Sequence, residues 1–173
     1  MKWIVLSSLL AWILTPTLSA QTCREVVRDA SGRIVQTIER HRSPGGTDRA
    51  VIRDASGRIT GTATTHTSSS GTSRTQFRDG SGRMTGSATS SSSSGGSSRT
   101  TYRDASGRLS GSANTHASGS TSRTQFRDAS GRLTGSETVH GTRTTRWDPS
   151  GRLTGSSTGD RRCGSGTRPL RDR

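Results

Sequence analysis

Apolar residues along this chain recur in pairs separated by a short polar segment. The first pair, Val27 and Ile34, forms the two ends of the segment Val27-Arg28-Asp29-Ala30-Ser31-Gly32-Arg33-Ile34. The same order of residue types returns five times. The other copies are Ile52–Ile59, Phe77–Met84, Tyr102–Leu109, Phe126–Leu133 and an altered one, Arg146–Leu153. Their Asp residues, at positions 29, 54, 79, 104, 128 and 148, give steps of 25, 25, 25, 24 and 20 residues. One unit copied about six times is typical of a scaffold or binding surface rather than of an enzyme.

Each unit has the composition of a β-hairpin. In the third unit, segments bearing Thr, aromatic and aliphatic residues, Ser73–Arg78 and Arg83–Thr89, flank the four turn residues Asp79–Gly82. The Asp carboxylate can accept hydrogen bonds from backbone N–H groups two residues on, and glycine adopts a left-handed backbone without a Cβ penalty. We therefore predict an all-β fold, a tandem β-hairpin repeat array of about six units of roughly 25 residues.

The turn length also predicts which residues face each other. If the four turn residues form the loop, Phe77 faces Met84 and Arg78 faces Arg83 across the two strands. Side-chain alternation then gives one thinly apolar face and one basic face. Because facing arginines repel, we expect an Asp of a neighbouring unit, solvent or an external anion between them.

The first twenty residues have the order of a secretory signal peptide. Lys2 precedes the apolar run Trp3–Leu14, and Leu18-Ser19-Ala20 offers a cleavage site after Ala20. The run is about 12 residues long, whereas a membrane span needs roughly 20 apolar residues. A membrane anchor is therefore the less favoured alternative. The residues before Cys23 lack the pattern of a lipoprotein signal. We predict a signal peptide at 1–20, the repeat array at 21–158 and a basic, disordered tail at 159–173, in a protein that is secreted, periplasmic or on the cell surface, with no membrane span after signal removal.

The charge is strongly positive and is carried by arginine. The formal net charge is +14 and becomes +13 without Lys2, the chain's one lysine. A GC-rich genome would explain the absence of lysine but not the excess of charge. Guanidinium groups bind carboxylates and phosphates through paired hydrogen bonds. We therefore predict an anion-binding arginine face, for surface polysaccharide, lipopolysaccharide or extracellular DNA, at Arg53, Arg58, Arg78, Arg83, Arg103, Arg108, Arg127 and Arg132.

Few bulky apolar side chains are available for a core. Leu, Ile, Val and Phe make up about a tenth of the residues after Ala20, well below the roughly 20% under which a highly charged chain tends to disorder. We therefore expect an isolated chain to be only partly folded unless backbone pairing or self-association adds stability.

The repeat resembles the YD repeats of bacterial Rhs and related toxin-shell proteins. Trp147-Asp148-Pro149-Ser150-Gly151-Arg152-Leu153-Thr154-Gly155 carries the resemblance, and in Arg127–Gly135 the aromatic residue, Phe126, lies one position earlier than in that family. The resemblance implies β-hairpins that wind in a long sheet and sometimes close as a shell, although six units are too few to enclose a toxin. A second similarity, of architecture alone, is to curli-like functional amyloids.

Residues for catalysis or metal binding are sparse. The four histidines, His41, His66, His116 and His140, are the candidates for a general base, and the recurrence of His66 and His116 is explained by duplication. No Cys/His cluster has the spacing of a metal site, and one Asp per unit is too sparse for a calcium repeat. We predict no enzymatic activity, no cofactor and no metal.

The two cysteines flank the array. Exported cysteines tend to oxidise, so Cys23 and Cys163 are expected to form disulfides, within one chain or between chains; two unrelated thiols are the alternative. Twelve strands about 4.8 Å apart make an open sheet about 50 Å wide, whereas a disulfide needs Cα atoms within about 7 Å. An open array therefore excludes an internal bridge, and a closed barrel permits one.

These features together predict a non-catalytic, exported structural or adhesive protein. Its arginine face would bind anionic polymers. Two alternatives stay open: a self-assembling fibre subunit, and a fragment of a YD-repeat toxin shell.

Overall fold

The computed structural model describes residues 21–43, 45–93 and 95–159, which form one antiparallel β-sheet. The signal peptide predicted at 1–20 and all but the first residue of the tail predicted at 159–173 lie outside the described residues. The twelve strands are β1 Gln21–Asp29, β2 Ile34–Arg42, β3 Thr47–Asp54, β4 Ile59–Thr67, β5 Ser73–Asp79, β6 Met84–Ser93, β7 Ser97–Asp104, β8 Leu109–Ser118, β9 Thr121–Asp128, β10 Leu133–His140, β11 Arg143–Trp147 and β12 Leu153–Gly159.

The sheet closes on itself. Each strand pairs with its neighbours in chain order, and β1 also pairs with β12, from Glu25 opposite Gly159 to Asp29 opposite Gly155. The all-β class and the six hairpins predicted from the repeat are thus confirmed, with two strands per unit. Of the two arrangements that the sequence left open, the sheet forms a closed barrel and not an open array, because the first and last units complete each other's hydrogen bonding.

The same turn closes every hairpin. In the third unit the N–H of Asp79 donates to the Arg83 carbonyl at 2.9 Å, and that of Gly82 donates to the Asp79 carbonyl at 3.0 Å. The Asp79 carboxylate accepts from the N–H groups of Ser81 and Arg83, both at 2.9 Å. Gly82 has a φ of 83°, in the left-handed region. The roles predicted for Asp and Gly in the turn are confirmed.

A bulge beside each turn changes the predicted pairing. Phe77 lies opposite Gly86 and Arg78 opposite Met84, so that Thr85 is the extra residue of the bulge. The predicted Phe77–Met84 and Arg78–Arg83 pairs are therefore wrong. The extra residue inverts the alternation at this point and places Met84 on the outer face, where it is exposed. Equivalent register shifts occur in all six hairpins.

The core lies inside the barrel and is made of alanine, valine, isoleucine and aromatic side chains. One cluster comprises the buried residues Val27, Ile38, Ala50, Ile52 and Ala63. A second comprises Ala88, Tyr102 and Ala113. Phe77 packs against both clusters and joins them. In the first five units the apolar residue that precedes the turn motif, namely Val27, Ile52, Phe77, Tyr102 or Phe126, therefore lies in this interior.

The barrel has two chemically different ends. All six Asp turns lie at one end, here called the turn rim. The connections between hairpins lie at the other end, here called the linker rim, where β1 begins and β12 ends.

Candidate anion-binding surface

Six arginines, one from each unit, lie on the outer face of the odd-numbered strands. All six are exposed, and they lie in the part of each strand nearer the linker rim. This set, here called the arginine belt, is Arg24, Arg49, Arg74, Arg99, Arg123 and Arg143. Because every second strand contributes one residue and strands lie about 4.8 Å apart, the belt places a guanidinium roughly every 10 Å around the barrel.

The belt arginines take no part in the ion pairs found among the described residues. The ion pairs of the described residues involve other arginines, namely Arg40, Arg42, Arg53 and Arg146. Within the described part of the chain, no belt arginine has a carboxylate within ion-pair distance. Exposed guanidinium groups of this kind are available to an external anion.

Each histidine lies beside a belt arginine on the neighbouring strand. The cross-strand pairs are His41 with Arg49, His66 with Arg74, His116 with Arg123, and His140 with Arg143. On its other side each ring shares a hydrogen bond of 3.1 Å through Nδ1 with a hydroxyl, from Thr22, Thr47, Ser97 and Thr121 respectively. Each histidine thus bonds a hydroxyl residue on one side and has a belt arginine as its strand partner on the other.

A shallow groove of about 460 Å³ lies on this surface across β6 to β9. Arg99, Arg123 and His116 line it together with the side chains of Asn114 and Gln125. The remaining lining is largely serine from the end of β6 and the start of β7. The groove thus combines positive charge with hydrogen-bonding groups, which suits an oxyanion.

The arginines predicted as anion-binding lie at the other end of the barrel. Arg53, Arg78, Arg103 and Arg127 each donate from Nη1 to the glycine carbonyl of their own turn, at 2.8 to 3.0 Å. Arg53 also lies 3.8 Å from Glu39. The other four, Arg58, Arg83, Arg108 and Arg132, are exposed at the ends of the turns. The structure thus brings all eight to the turn rim, and four of them already bind the turn.

The arginine belt was missed because the motif was centred on the Asp turn. Its positions nevertheless repeat with the same steps as the Asp residues, 25, 25, 25, 24 and 20. In four of the units a hydroxyl residue stands on each side, as in Ser73-Arg74-Thr75. That period, together with the absence of an acidic neighbour in those units, is the signal that could have identified the belt.

Hydrogen bonds within the turn stabilise the charged form of five of the six turn carboxyls. The Ser hydroxyl two residues on donates to Asp54 and Asp128 at 2.7 Å, and with the backbone N–H groups it lowers the pKa of both carboxyls. The pKa of Asp29 and Asp148 is lowered in the same way, and that of Asp104 chiefly by the N–H of Arg108. These carboxylates therefore serve the turns.

Two ion pairs lie on interior positions, and the sequence reasoning did not find them. Glu137 accepts from Nε of Arg146 at 3.0 Å, and Glu25 lies 4.0 Å from Arg40. Burial raises the pKa of Glu137, against the opposing effect of Arg146. Burial and the charge of Glu137 raise the pKa of Tyr102 to about 12. Each pair joins two neighbouring strands on the inner face of the sheet.

The described residues contain one cysteine and no candidate metal site. Cys23 is buried and disulfide-bonded, which a closed barrel permits; the chain's other cysteine, Cys163, lies outside the described residues. Over residues 21–43, 45–93 and 95–159 no three His, Cys, Asp or Glu side chains are grouped to hold a metal ion. Nor does that part of the chain contain a helix long and apolar enough to cross a membrane.

Comparison with family models, with curated proteins and with solved structures finds no match to this chain.

Proposed function

We propose that this chain is an exported, non-catalytic structural or adhesive protein whose arginine belt binds anionic polymers. The observation that carries the proposal is that six exposed arginines encircle the barrel without an ion-pair partner among the described residues. The eight turn-rim arginines predicted from the sequence are secondary in this proposal, because four of them bind their own turns.

A polymer fits this surface better than a small anion. The belt repeats one cation at a regular interval along an open surface, and it does not form a single enclosed pocket. Histidines and hydroxyl residues lie beside the arginines. A chain of sulfates, carboxylates or phosphates can engage several guanidinium groups at once, and each contact releases a counterion. Surface polysaccharide, lipopolysaccharide and extracellular DNA share this chemistry.

The alternatives have less support. A fibre that grows by strand addition needs unpaired strand edges, and each described strand is paired on both sides. A YD-repeat shell encloses cargo, whereas this interior holds the barrel's own side chains.

Removal of belt charges tests the proposal. The variant R74Q/R99Q/R123Q removes three belt arginines, and R83Q/R108Q/R132Q removes three turn-rim arginines from the same units as a matched control. Binding to heparin and to a double-stranded DNA fragment is measured over a range of salt concentrations. We expect the belt variant to bind more weakly, with a salt slope for DNA reduced by up to about three, and the control to change less.

Two outcomes would count against the proposal. If both variants bind equally well, net charge alone governs the interaction and the belt is not a site. If wild-type binding does not change with salt, the interaction is not electrostatic.

A further inference from the structure

Six apolar side chains lie on the outer face at the turn rim instead of in the core. Five of them have a solvent-exposed fraction of 37% to 47%, namely Ile34, Ile59, Met84, Leu109 and Leu153. The sixth, Leu133, is partly exposed. We call these six residues the apolar ring. Each is the first residue of its strand, next to the bulge, and the bulge turns it outward. One exposed aliphatic residue is unremarkable, but six around one rim mark an interaction surface.

The same rim carries an excess of positive charge. The six turn segments, each taken from the residue before Asp to the residue after Gly (28–33, 53–58, 78–83, 103–108, 127–132 and 147–152), contain eleven arginines and six aspartates, a net +5. The aspartates accept hydrogen bonds within their turns, so their charge is partly satisfied there. The two residues between Asp and Gly at each tip, such as Ala55 and Ser56, carry no charge. The rim therefore presents neutral tips, an apolar ring and arginines.

In the sixth unit an aromatic residue stands where the others have arginine. Trp147 replaces the arginine before Asp and lies opposite Leu153, on the outer face, where it is partly exposed. An indole ring at the boundary between apolar and charged groups is typical of residues at membrane interfaces.

We propose that the turn rim docks end-on against a lipid surface with anionic headgroups. The charge of the turn rim favours a lipid surface over a second copy of the chain. Two turn rims, each with a net charge of +5, would repel each other, whereas an anionic lipid surface attracts the arginines. The apolar ring lies two residues from each turn glycine, about 7 Å of strand. An apolar surface enters the boundary between headgroups and acyl chains by roughly 5–10 Å, so the small tips can pass the headgroups while arginines reach back to phosphates.

This surface is separate from the arginine belt. Arg74 of the belt and Arg78 at the rim are four residues apart, about 13 Å along β5. The proposal does not rest on polymer binding, since the belt lacks the apolar ring and the ring lies at the other end of each strand.

Vesicle binding by matched variants tests the proposal. The ring variant I59S/M84S/L109S is compared with wild type and with the belt variant R74Q/R99Q/R123Q, all expressed from the full sequence so that residues 1–20 contribute equally. Sedimentation with phosphatidylglycerol vesicles and with neutral phosphatidylcholine vesicles is measured at low and high salt. We expect wild type to prefer the anionic vesicles, and the ring variant to lose about tenfold or more in high-salt partitioning. The belt variant should keep that high-salt component.

A depth measurement keeps the test valid if the ring variant fails to fold. The fluorescence of Trp147, obtained as the difference between wild type and W147F, should shift to the blue and be quenched by brominated lipids. The proposal is overturned if Trp147 shows no shift, or if the folded ring variant binds like wild type at high salt. It is also overturned if the ring substitutions abolish only self-association, because the occupant would then be a second copy.

Discussion

Glycine at one position in each of five units allows neighbouring hairpins to approach closely. A Cβ added to Gly86 would lie 2.5 Å from the carbonyl oxygen of Arg103 and 3.7 Å from the Cα of Asp104. Both atoms belong to the backbone and cannot rotate away. The same close contact recurs at Gly61, Gly111, Gly135 and Gly155.

Substitution of this glycine should therefore destabilise the barrel. We expect G86A to lower the free energy of unfolding by about 1–3 kcal/mol, because the neighbouring backbone must shift. The first unit carries Gln36 at the equivalent position, opposite Asp54. The sheet thus accepts a side chain there, and G86A should weaken folding rather than prevent it. Urea denaturation followed by circular dichroism measures the change.

Gly45 provides the control for this substitution. It lies in a connection between hairpins, its φ is outside the left-handed region, and a Cβ there would meet no atom within 4 Å. G45A should leave the unfolding midpoint nearly unchanged. Equal effects of G86A and G45A would mean that the backbone contact is not a constraint on the fold.

At the scale of the hairpin, the sequence predicted the turn but not the pairing beside it. The Asp79 carboxylate accepts the backbone hydrogen bonds of the turn, and Gly82 adopts its left-handed backbone, so residue type was enough to predict the turn. The bulge at Thr85 has no such signature, and an alternation of period two places Met84 inside. One extra residue is enough to send the apolar residue outward and to form the apolar ring.

The turn carboxylates make five of the six hairpins sensitive to acid. The pKa of Asp29, Asp54, Asp104, Asp128 and Asp148 is lowered from 3.8 in the folded chain. A depressed folded-state pKa contributes stability that is present above the unfolded value and is lost as pH falls through the folded value. The melting temperature should therefore be steady from neutral pH to about 5 and should fall below about pH 4.

Variants that cannot titrate identify the groups responsible. D54N/D104N/D128N keeps an oxygen that accepts the turn hydrogen bonds, so we expect a lower melting temperature at neutral pH and a shallower fall in acid. Glu137 acts in the opposite direction: its folded pKa is raised, so its ionisation removes stability as pH rises through that range. An unchanged acid slope in the triple variant would show that the turns do not control acid sensitivity.

At the scale of the whole molecule, the period predicted the number of strands but not their closure. Closure depends on how β1 meets β12, two segments more than a hundred residues apart that share no local signal. The arginine face was predicted from charge at the turn-rim positions, because a hairpin motif does not say which arginines bind their own turn. Arg78 donates a hydrogen bond to the Gly82 carbonyl of its own turn, whereas Arg74 lies on the same strand away from the turn. The interior pair of Glu137 and Arg146 depends likewise on the folded register.

A closed sheet predicts how the chain behaves on dilution. Because β1 and β12 complete each other's hydrogen bonds, the described strands need no second copy to satisfy their edges. We expect a β-type circular dichroism spectrum and a monomeric sedimentation coefficient that do not change with protein concentration.

Removal of the last hairpin provides the comparison. A chain ending at residue 140 lacks β11 and β12, so β1 and β10 each lose a partner strand and become open edges. Open edges promote association between chains, and this variant should sediment as larger species as its concentration rises. If the full-length chain instead gains β-structure only as the protein concentration rises, its strands pair between molecules. Self-assembly, and not closure of the sheet, would then supply the hydrogen bonds of the strand edges.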